Sequence, residues 1–177
     1  RDDSYGGSIE KRSQFVSEII QAVRANISQE FIVGLRFSQW KQHDFEAKLA
    51  HTTDDLKTVL LSPVESGLDY LHSSMRRFWE SEFEGSEENL AYWTKKISNI
   101  PTIGVGSVGL DSDFIDMTAP SKPASIDKAI DDISKEKYDL LAVGRALLSD
   151  HEWVLKMKEG RLKDVIPYSK EALLKLY

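Results

Sequence analysis

Cysteine is absent from this chain, which excludes disulfides, thiolate metal sites and a cysteine nucleophile, and fits a cytoplasmic location. Long apolar runs are missing too. No stretch approaches the roughly 18 residues that a membrane-spanning helix needs, and no signal-peptide pattern opens the sequence. Only four histidines occur; His43, His51 and His151 show no metal spacing, and no H-E-x-x-H or paired-carboxylate constellation stands out. Basic charge is also in deficit: 29 acids against 23 bases leave a net charge of −6. The overall field therefore repels nucleic acid and anionic membranes, and a phosphate ligand requires a local pocket. The 177 residues, 41% of them hydrophobic, suffice for one domain core or part of one. The first residue is Arg1, inside a loop-like sequence, so the natural start is expected upstream.

Two apolar strands in the second half run directly into glycine turns: Pro101-Thr-Ile-Gly-Val-Gly-Ser-Val-Gly109 and Tyr138-Asp-Leu-Leu-Ala-Val-Gly-Arg-Ala146. A glycine at a strand end lets backbone N–H groups converge on an anion, and a following helix adds the positive end of its dipole. Two such turns on successive strands make one phosphate cup, as in (β/α)8 barrels after the seventh and eighth strands. Gly104, Gly106 and Gly109 also spell G-x-G-x-x-G, which invites a dinucleotide-binding reading. The context opposes it: Asp111–Met117 offers one or two helical turns, and Pro120-Ser-Lys-Pro-Ala-Ser125 reads as a surface loop, where a long helix is required.

Elsewhere helices alternate with strands. Ser8 caps a predicted helix to about Asn26, with Phe15, Ile19, Val23 and Ile27 recurring every four residues and Glu10 near its positive end. Phe31–Phe37 reads as a strand buried on both faces, with Arg36 near its end. A helix from Thr53 carries Leu56, Val59 and Leu60, and Pro63 is expected to bend or end it. Gly67–His72 is the next strand. Asn89–Ser98 is a helix with Leu90, Trp93 and Ile97 on one stripe, Ser125–Ser134 another, and the last helices carry Trp153, Val154 and Met157, then Leu173 and Leu174. This order predicts an α/β fold with a parallel sheet and helices outside it, four strand–helix units in all.

The opening Arg1-Asp-Asp-Ser-Tyr-Gly-Gly-Ser-Ile-Glu-Lys-Arg12, with Val33-Gly-Leu-Arg-Phe-Ser38, Val105-Gly-Ser-Val108 and Ala142-Val-Gly-Arg-Ala-Leu-Leu-Ser-Asp150, resembles the old yellow enzyme family. That resemblance implies a (β/α)8 barrel of TIM type, FMN as cofactor, and hydride transfer from NAD(P)H through the flavin to an activated alkene or related small-molecule acceptor. It implies that residues 1–177 are the C-terminal half of one FMN-binding barrel, roughly strands five to eight. The N-terminal half, with the family's substrate-binding pair and proton donor, then lies outside this chain and is a required partner; a homo-oligomer is a further possibility.

By the same resemblance Arg36 faces the flavin ring where negative charge gathers on reduction. Gly106 and Ser107 match the first phosphate turn, and Gly144 and Arg145 the second, Arg145 adding a charge-assisted bond. His72, read as ending its strand, is expected at the active face, and Phe78 and Trp79 are placed to wall a substrate or cover the flavin. Arg76 and Arg77 read as solvated or loop-pairing. Two other readings remain at this stage. One is a non-catalytic half-barrel that binds phosphate or FMN, or assembles with a separate half. The other is a dihydrouridine-synthase-like flavin barrel acting on RNA, which the acidic balance opposes.

Overall fold

The computed structural model describes residues 2–112 and 121–174. Four strands, β1 (Gly34–Phe37), β2 (Tyr70–Ser74), β3 (Thr102–Val105) and β4 (Leu140–Leu141), pair in chain order and are all parallel. The helices are α1 (Ile9–Arg24), α2 (Thr53–Glu65), α3 (Leu90–Ser98), α4 (Asp127–Ser134), α5 (Arg145–Ser149) and α6 (Trp153–Lys158). Short 3-10 turns follow at Leu162–Asp164 and Lys170–Leu174. The helical turn expected over 111–117 lies, from residue 113 onward, outside the described residues.

Local sequence explains where the helices start. Ser8 caps α1 by accepting from the Lys11 N–H, and Asn89 caps α3 through the Tyr92 N–H. Thr52 and Asp55 form a reciprocal capping box on α2. Pro63 neither ends nor replaces the last turn of α2, which continues to Glu65 with the proline ring buried. The α1 apolar stripe does not face the core as a simple amphipathic reading suggests. Ser13, Ser17 and Ile20 form the buried face instead; Ser17 and Ser62 share a hydroxyl hydrogen bond of 2.8 Å, so small residues let α1 and α2 approach closely. Phe15, Ile19 and Val23 remain 46%, 47% and 39% exposed.

The strand starts are fixed twice by the same device. Asp69, just before β2, accepts from the Val33 N–H at 2.7 Å and pairs with Arg24 at the end of α1. Asp139, just before β4, accepts from the Thr102 N–H at 2.7 Å and pairs with Lys95 of α3 at 3.0 Å. Each carboxylate ties a strand to its predecessor and to the helix before it.

One sheet face is covered. Leu71, Ser73 and Thr102 are buried, Ser73 donates to Thr94 of α3, and a Cβ on Gly104 would lie 3.1 Å from Ala91 of the same helix. The other face carries the paired residues Arg36, His72, Ile103 and Leu140, and Leu140 is 59% exposed. This corrects the expectation that the first strand is buried on both faces, since the helices cover only one side. That strand is also shorter than expected, and Phe31 and Ile32 lie exposed ahead of it. The second strand is shifted: it ends at Ser74, which puts His72 mid-strand.

Candidate flavin phosphate cleft

At the C-terminal ends of the four strands, the edge where barrel chemistry occurs, lies a cleft of about 360 Å³. It brings together Arg36, Gly106, Ser107, Gly144 and Arg145, the five residues that the sequence assigned to a cofactor. Trp40, Ser74 and Arg76 line it too. His72, Phe78 and Trp79 are not among its lining residues.

Arg36 reaches the cleft from the inner face of β1, its Nη2 donating to the Ser74 hydroxyl at 3.2 Å. Beside it in register sits His72, whose buried Nε2 has no partner among the described residues. Burial first, then the Arg36 charge, push the His72 pKa below its ordinary value. Phe78 is only 2% exposed; its N–H donates to the Gly106 carbonyl and its ring meets Trp79 edge-on. It braces the turn from behind.

The glycines of the first turn have separate reasons. A Cβ on Gly106 would stand 2.8 Å from the Met75 carbonyl oxygen, so this glycine lets β3 pass its neighbour. Gly109, at φ +74°, would drive a Cβ into the Trp153 ring at 2.6 Å. Between them Ser107 takes the left-handed conformation at φ 48° and donates to the Arg76 carbonyl at 3.1 Å. These are packing and turn constraints, and α4, the next described helix, starts only at Asp127. The strand order, unreversed from β1 to β4, also lacks the switch point of a dinucleotide-binding fold.

Gly144 differs from these: a Cβ there would meet nothing within 4 Å, leaving the cleft beside its backbone open. Arg145 follows at the start of α5, whose five residues make a weak dipole, so the side chain must carry the positive charge here. Its Nη2 donates to the Ser112 carbonyl at 2.9 Å and the Ser107 hydroxyl at 3.3 Å, and its Nη1 to the Ser121 hydroxyl at 3.4 Å. The guanidinium carbon lies 5.4 Å from the centroid of the Tyr168 ring. Sequence reasoning missed Trp40, Ser74, Ser121 and Tyr168. Ser74 follows from the true strand end, whereas the other three lie in loops or at the far end of the chain, with no local signal.

A parallel α/β sheet in unreversed order, with a basic cleft over two glycine turns at its C-terminal edge, has the architecture of part of a (β/α)8 barrel. Residues 1–164 match the NADH:flavin oxidoreductase / NADH oxidase family, and the chain belongs to it. It is 32% identical over 173 residues to an NADH oxidase of Thermoanaerobacter brockii, an alignment covering 93% of this chain and 24% of that protein. Morphinone reductase in complex with tetrahydroNAD superposes with a TM-score of 0.63 at 20% identity, over 91% of this chain and 38% of the reductase. The old yellow enzyme from Trypanosoma cruzi gives 0.61 at 18% identity, over 90% and 37%. The chain thus spans about a quarter to two fifths of these proteins. The family's cofactor is FMN.

Proposed function

We propose that this chain is the C-terminal half, roughly strands five to eight, of an FMN-dependent oxidoreductase that takes hydride from NAD(P)H and passes it to an activated alkene or a related small-molecule acceptor. The observation that carries this reading is the single cleft joining Arg36 to the Gly106–Ser107 and Gly144–Arg145 turns. The residues present fit FMN: the space beside Gly144 admits a ligand close to the backbone, and Arg145 supplies charge for a phosphate. When bound, the flavin supplies the two-electron chemistry that no side chain here can perform.

The chain's own residues do the rest. Arg145 and the two glycine turns would hold the phosphate, whose charge is constant, and so would contribute binding alone. Arg36, oriented by Ser74, would stabilise negative charge developing on the flavin ring. Burial and the Arg36 charge favour the neutral form of His72, which leaves Arg36 as the cation offered to the ring from this pair.

The remaining strands of the barrel are the proposed partner of this half. Their docking is supported by the open inner face, where Leu140 is exposed next to Ile103, and by the exposed apolar stripe of Phe15, Ile19 and Val23 on α1. Among the described residues no helix is long and apolar enough to cross a membrane.

Calorimetric titration of FMN and riboflavin into the apoprotein of the complete barrel tests the reading. FMN should bind at least 10-fold tighter, because each charge-assisted bond to the phosphate contributes about 1.5–3 kcal/mol. Equal affinities rule out the phosphate role.

A further inference from the structure

The phosphate arginine is held by a segment that lies beyond the family match. Residues 1–164 carry the match, yet the aromatic face against Arg145 comes from Tyr168. Tyr168 is 7% exposed and is anchored by its backbone: its N–H donates to the Ser121 carbonyl at 3.0 Å, and the Ser121 N–H donates back at 2.9 Å. Ser121 in turn presents its hydroxyl to Arg145 and shares a hydrogen bond with the Ser112 hydroxyl. The segment is fixed from its other side, where the Ile166 N–H donates to the buried Asp150 carboxylate at 2.9 Å and Ala172 packs into the core. Asp150 is itself gripped by Lys156 at 2.8 Å.

The geometry points to Tyr168 as a positioning residue for the flavin phosphate. An arginine has several rotatable bonds, and ordering them on binding opposes affinity. A guanidinium whose edge is hydrogen-bonded to Ser107, Ser112 and Ser121, and whose face lies over an aromatic ring, is ordered before the ligand arrives. The tail after α6 therefore sets how tightly the anion is retained, although none of its described residues lines the cleft. Removing the ring leaves the serine hydrogen bonds and the backbone bridge in place but takes away the aromatic face that limits the guanidinium's tilt.

This inference rests on the phosphate reading of the cleft, and the experiment separates the two. Apoprotein of the complete barrel is titrated with FMN and with riboflavin, in the wild type, Tyr168→Phe and Tyr168→Leu. Tyr168→Leu should weaken FMN roughly 3- to 30-fold, the range a lost cation–π contact corresponds to. Riboflavin affinity should not change, and Tyr168→Phe, which keeps the ring, should restore FMN binding. Riboflavin binding also reports whether the leucine variant has folded. If Tyr168→Leu weakens both flavins equally, or neither, the positioning role is wrong. If the wild type itself shows no preference for FMN, the phosphate reading fails and the role of Tyr168 fails with it.

Discussion

Two glycines on the rim of the cleft should respond to the same substitution in opposite ways. At Gly106 a new Cβ meets the Met75 carbonyl oxygen at 2.8 Å and the Met75 Cβ at 3.0 Å. Neither can yield cheaply, because the Met75 N–H is bonded to Val105 at 2.7 Å and the Gly106 carbonyl accepts from Phe78 at 3.1 Å. Relief must come from parting β2 and β3, an overpacking cost of about 1–3 kcal/mol. At Gly144 the new methyl displaces no atom of the protein and occupies the space left to the ligand. Gly144→Ala should therefore destabilise the apoprotein less than Gly106→Ala does, yet weaken FMN by roughly 10- to 150-fold if one charge-assisted bond of about 1.5–3 kcal/mol is lost. Urea unfolding of both apoproteins, in the complete barrel, followed by FMN titration, measures the two effects side by side. FMN affinity within twofold of wild type in Gly144→Ala would refute the cup, and wild-type stability in Gly106→Ala would refute the packing argument.

Acid should weaken the tie between β1 and β2. The Val33 N–H, then Arg24, hold the Asp69 carboxyl below the usual carboxylate range, so its stabilisation is present above about pH 4 and is lost as pH falls through the lowered value. Asp69→Asn should lose less stability than wild type between neutral pH and about pH 3 in urea unfolding; an unchanged difference contradicts the assignment. On α1, Ile19 looks like a half-exposed surface residue, where substitutions usually stay within about 0.5 kcal/mol. In the complete barrel Ile19→Glu should exceed about 1 kcal/mol by the same assay, and a neutral result would mean that nothing docks on this stripe.

Local features were legible in the sequence because their physics is local. Ser8 and Asn89 act as caps within three residues of their partners, and the Gly106–Ser107 and Gly144–Arg145 segments follow closely on the apolar strands β3 and β4. The cleft was legible only as a list of residues, since the pairing of β1 through β4 is what gathers them. Period alone misled at α1: the four-residue spacing of Phe15, Ile19 and Val23 reports a face, but not which neighbour covers it, and the close serine contact with α2 took the buried position. The strand around His72 was ended two residues too early because Ser73 and Ser74 look like loop, whereas Ser73 is buried with its hydroxyl satisfied by Thr94. Tyr168 was invisible for another reason. It meets Arg145 across 23 residues of chain through a bridge to Ser121 that no pattern encodes.

Arg36 and Arg145 share one cleft, and their proposed tasks differ: Arg145 acts on the constant charge of the phosphate and Arg36 on the charge that develops in the ring. The reduction potential of the bound flavin, measured by photoreduction against reference dyes in the complete barrel, separates them. Arg36→Ala should lower the two-electron potential by about 30 mV for each 1.4 kcal/mol of differential stabilisation lost, while Arg145→Ala weakens FMN retention and leaves the potential nearly unaltered. An unchanged potential in Arg36→Ala, together with a shift in Arg145→Ala, would contradict the account.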